Sequence, residues 1–74
     1  MAFSPEQVRK TIKPGQFWKR NDSEPDVPLQ FVLILETFYR GSQLTAWIIT
    51  EHGEKITQNC WFIVYYFHLV NIND

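Results

Sequence analysis

A chain of 74 residues has room for one domain and no more. At 45% hydrophobic and 16% aromatic residues, with a net charge of −1, it is too apolar to be disordered and lacks the strong positive charge typical of nucleic-acid-binding domains. A single cysteine, Cys60, excludes an intrachain disulfide and a four-cysteine zinc site, and favours a reducing compartment.

The first element is a short helix over residues 5–12. Ser4 is placed to cap it, Pro5 suits its first position, and Gln7 sits where a capping box puts Glu or Gln. Phe3 and Val8 have the spacing of a hydrophobic staple, and Val8 and Ile12 share one face. Pro14-Gly15 stops the helix. So short a helix must dock on something to persist.

Gln16 to Arg20 reads as a strand, and the polar loop Asn21 to Pro28 follows it. Leu29 to Phe38 is the strongest strand. Its interior, Phe31-Val32-Leu33-Ile34-Leu35, is apolar at both parities, which predicts that both faces are at least partly covered. Leu33, Ile34, Trp47 and Ile49 are expected in the core. Arg40-Gly41-Ser42-Gln43 is a hairpin turn, Leu44 to Thr50 the returning strand, Glu51 to Glu54 a second tight turn, and Lys55 to Thr57 a short strand.

Cys60 to Phe67 is apolar all round, so neither period decides it. Its β-branched and aromatic residues fit a strand. Alternatively, Asn59 caps a helical turn that ends near Phe67, with a final strand at His68 to Asn71. The second version is preferred here. This longest apolar stretch is far short of the roughly 20 residues that span a bilayer. The start, Met1-Ala2-Phe3-Ser4-Pro5, lacks the basic and apolar regions of a signal peptide, so a cytoplasmic, non-membrane protein is expected.

The order of these elements suggests a small five-stranded barrel over residues 16–72, closing its own edges. Lys13-Pro14-Gly15-Gln16-Phe17-Trp18-Lys19 resembles the opening strand of SH3-like barrels, where a Gly turn leads into an apolar, aromatic and basic run. Phe62-Ile63 and Phe67-His68-Leu69-Val70 resemble their closing helical turn and strand. The likeness spans residues 13 to 72, and small phage and bacterial proteins share it. It implies a mainly β fold and leaves function open.

No catalytic constellation is visible, and the chain is read as a non-enzyme without cofactor or metal. Cys60 lies in apolar surroundings that raise a thiol pKa, which makes it a core cysteine. Glu51-His52-Gly53-Glu54 offers metal-ligand types, but a four-residue turn splays them. The three glycines are isolated, so no phosphate loop exists. His68 is expected to cap or flank the last strand.

Two binding readings remain. Trp18, Phe38, Tyr39, Tyr65 and Tyr66 lie near loops or polar neighbours, and a domain this small has more aromatics than its core can enclose. Surplus aromatics point to a protein partner or to self-association. The charges are also segregated: residues 1–20 carry net +4 and residues 21–74 carry net −5. Arg9, Lys10, Lys13, Lys19 and Arg20 could therefore meet phosphates in a nucleic-acid-binding barrel, with Phe17 or Trp18 stacking on a base. The acidic residues Asp22, Glu24 and Asp26 follow at once and weaken that field, so the protein partner is favoured.

Overall fold

A computed structural model describes residues 5–70. Helix α1 spans Pro5–Thr11, and strands follow at Phe17–Arg20 (β1), Phe31–Arg40 (β2), Gln43–Thr50 (β3) and Lys55–Asn59 (β4). Helix α2, Cys60–Tyr66, and strand β5, Phe67–Leu69, complete the described chain. The proposed Ser4 cap, the Phe3 half of the staple, the Asn71 end of the last strand and residue 72, where the expected barrel ends, lie outside the described residues.

The five strands form one antiparallel sheet in the order β4-β3-β2-β1-β5. The mainly β expectation holds at this level, but the sheet is not closed into a barrel. Among the described residues β4 and β5 pair only with β3 and β1, so both remain edges. The physical reason is α2, which stands between them in the chain and packs on β3, β4, β5 and α1. Its inward residues Cys60, Ile63 and Val64 fill the space that direct pairing would need.

Alternation decides what each strand buries. Trp18 of β1 pairs with Val32 of β2, and Ile34 with Ile48 of β3; all four are buried and define the inner face. Val8 of α1 and Ile12, just past its end, join the same core cluster, which is how so short a helix is stabilised. A β-bulge between Ile34 and Glu36 lets the long β2 bend. Arg40 pairs with Gln43, leaving Gly41-Ser42 as a two-residue hairpin loop. Gly41 has φ +64° while no described non-glycine residue has positive φ, the pattern of a type II′ turn.

The structure corrects three of the four expected core residues, and only Ile34 is fully buried. Leu33 is 36% exposed because it alternates with Val32 and Ile34, which face the core. The outer side of β2 is therefore not covered by another layer. Trp47 and Ile49 are half-buried on that same outer side.

Candidate functional site

Helix α2 begins where Asn59, in extended conformation, accepts a hydrogen bond from Trp61 N through Oδ1 at 2.8 Å. Phe67 N–H donates to Ile63 O and ends the helix. Seven residues at helical spacing then divide into two faces. Cys60, Ile63 and Val64 point into the core. Trp61, Phe62, Tyr65 and Tyr66, at i, i+1, i+4 and i+5, line an open and almost wholly apolar groove of about 370 Å³.

A surface helix normally turns a polar face to water. This one carries aromatic rings there instead: Tyr65 is 55% exposed, while Trp61, Phe62 and Tyr66 are half-buried against the core. The rings hold one another in place. Phe62 and Tyr66 lie 5.0 Å apart between centroids, and Tyr65 meets Tyr66 edge-on at 5.5 Å. The acidic loop reaches the helix end, where Asn21 N donates to Tyr66 O at 2.8 Å. His68 is a correction: it lies within β5, paired with Lys19, rather than capping or flanking the strand, and it contacts the Asn21 side chain at 2.8 Å through Nδ1.

Of the aromatics expected at a binding surface, Tyr65 and Tyr66 come together in this groove. Phe38 lies on the outer side of the sheet beside Trp47, 6.2 Å between rings. Tyr39 is 57% exposed near the end of the β2–β3 hairpin. Trp18 is a correction: at 3% exposure it belongs to the core. It occupies the inner side of β1, between β2 and β5, and its indole N–H donates to Gln16 Oε1 at 3.1 Å. Trp61 and Phe62, which also line the groove, are not among the aromatics the sequence marks for binding. Their signal was the helical spacing with Tyr65 and Tyr66, which counts only once the segment is known to be helical.

The basic residues do not act as a unit. Arg9 and Lys10 each lie 3.9 Å from Glu6 on α1. Arg20 Nη1 donates to Val27 O at 2.7 Å and ties down the loop after β1. Lys13 and Lys19 are exposed, the first after α1 and the second on β1.

Two other candidates are occupied with structure. Cys60 is fully buried, and desolvation raises its thiol pKa to about 11. Glu51 Oε1 accepts from Gln30 N at 2.8 Å and Phe31 N at 3.1 Å, pinning the second tight turn to the start of β2. Burial pushes the Glu51 pKa up, but the backbone donors of Phe31, Gln30 and Glu51 itself, with His52, outweigh it, and the net shift is downward.

Fold and groove together define a small antiparallel-sheet protein with an aromatic helix face at its surface. The chain matches no protein-family model, no curated protein and no solved structure. No helix among the described residues is long and apolar enough to cross a membrane.

Proposed function

We propose that this chain is a small, non-catalytic, cytoplasmic binding module of SH3-like type. It docks on a protein partner, as an inhibitor or adaptor, through the groove of α2. The observation that carries this reading is the apolar groove of that helix, lined by half-buried Trp61, Phe62 and Tyr66 with the exposed Tyr65 beside them. Tyrosine and tryptophan are the side chains that most often anchor protein interfaces, because they offer large rigid area and a polar tip. The SH3-like assignment is supported by the strand order, in which the last strand returns beside the first after a helical turn. The intramolecular engagement of Arg9, Lys10 and Arg20 weighs against a phosphate-binding face.

The test compares Tyr65→Ala, in the groove, with Trp18→Ala, in the core. Each purified variant is melted and used to capture partners from host lysate with and without nuclease. Tyr65→Ala should melt like the parent and lose about 2 kcal/mol of affinity for a nuclease-resistant partner. Trp18→Ala should unfold. Unchanged capture by Tyr65→Ala, or capture that vanishes with nuclease, would sink the reading.

A further inference from the structure

We propose a second docking surface, the outer face of the sheet, which takes an acidic segment of a protein partner bearing apolar side chains. This face is separate from the α2 groove and does not depend on it. Phe17 and Phe31 stack there at 5.3 Å. Phe17 pairs with Leu33, and Leu33 with Ile49. Trp47 and Phe38 extend the band on β3 and β2. The helices place their buried residues in the core cluster on the inner face and leave this band uncovered.

Charge selects the occupant. By strand parity, Lys19, Arg40 and Lys55 border the band, against one acid, Glu36. That is three of the chain's seven Lys and Arg residues and one of its eight acids, in a protein of net charge −1. Among the described residues none of the three cations has a carboxylate within 4.0 Å. Two of them lie against the band: Lys55 Nζ is 5.0 Å from the Trp47 ring centre, and Arg40 Cζ is 5.7 Å from that of Phe38. Glu51, at the end of β3, has its carboxylate held by the Gln30 and Phe31 N–H groups.

A second copy meeting this face with its own would bring like charges together. A single strand of nucleic acid needs open ring faces for its bases. Here Phe17 and Phe31 each give one face to the other, cations sit over Trp47 and Phe38, and the middle of the band is aliphatic. An acidic protein segment meets both demands: its carboxylates pair with Lys19, Arg40 and Lys55, and its apolar side chains cover Leu33 and Ile49.

The experiment is an NMR titration of the full chain at low salt. The probes are a ten-residue peptide of alternating glutamate and leucine, its glutamine–leucine counterpart, and oligothymidylate. The glutamate peptide should shift the amides of Phe17, Lys19, Leu33, Ile49 and Lys55 and bind at least tenfold tighter than the glutamine one. Lys19→Glu with Lys55→Glu should remove that preference, and Tyr65→Ala should preserve it. Should the double glutamate variant unfold, Lys19→Ser with Lys55→Ser serves the same reading. Equal affinity for the two peptides, shifts gathered on α2, or displacement of the peptide by oligothymidylate would overturn the proposal.

Discussion

Asn59 Oδ1 accepts the Trp61 N–H at 2.8 Å and so caps the all-apolar segment that forms α2. The cap satisfies a backbone donor that the first helical turn leaves without a partner. Asn59→Ala should cost about 1 kcal/mol. Asn59→Ser, which keeps an acceptor, should recover most of it. Thermal melts of the two variants check this, and equal melting would show that the cap is idle.

Ile34 and Leu33 are neighbours on β2 that face opposite sides of the sheet. Ile34 is 1% exposed and Leu33 36%. Ile34→Ala should cost about 2–5 kcal/mol, most of the roughly 3–5 kcal/mol that a domain this small possesses. Leu33→Ala should cost about 1 kcal/mol or less. Urea titrations with matched baselines measure both. Reversed sensitivities would mean that the sheet buries its other face.

Glu51 makes stability depend on acid. Its pKa is lower in the folded chain than in the unfolded one, through its backbone hydrogen bonds. A carboxylate depressed in this way stabilises the fold fully above its unfolded pKa, near 4.3, and that contribution is lost as pH falls through the folded value. The melting temperature should therefore drop between about pH 5 and pH 3 more steeply in the parent than in Glu51→Gln. Parallel profiles for the two proteins would remove Glu51 as the cause.

Cys60 should be chemically silent in the native state. The thiol is fully buried, and its pKa is raised to about 11. Iodoacetamide at pH 8 should leave the folded protein unmodified and label it fully in denaturant, because only exposed thiolate reacts. Mass spectrometry reads the difference. Rapid labelling without denaturant would place Cys60 at the surface.

Local signals on the chain specified most of the elements. Gly41-Ser42 and Gly53 placed the tight turns, because positive φ is easily reached only by glycine. Val8 and Ile12 marked the buried side of α1 by spacing alone, and both are in the core. The preference for a capped helical turn before the last strand rested on Asn59, which is the N-cap. What the sequence by itself determined about this protein is therefore its punctuation: where strands and helices start, stop and turn, since those choices depend on near neighbours.

Tertiary structure decided which side of each apolar strand is inside, and whether the sheet closes. Phe31 to Leu35 is apolar at both parities, so only the placement of the helices could single out Val32 and Ile34. Trp18 looked available beside Lys19 and Arg20, yet the pairing of β1 between β2 and β5 turned it inward. The same placement of α2 between β4 and β5 kept the sheet open and gathered four aromatic rings along one groove, with Tyr65 exposed. Burial is a relation between elements distant in the chain, and no window of neighbouring residues contains it.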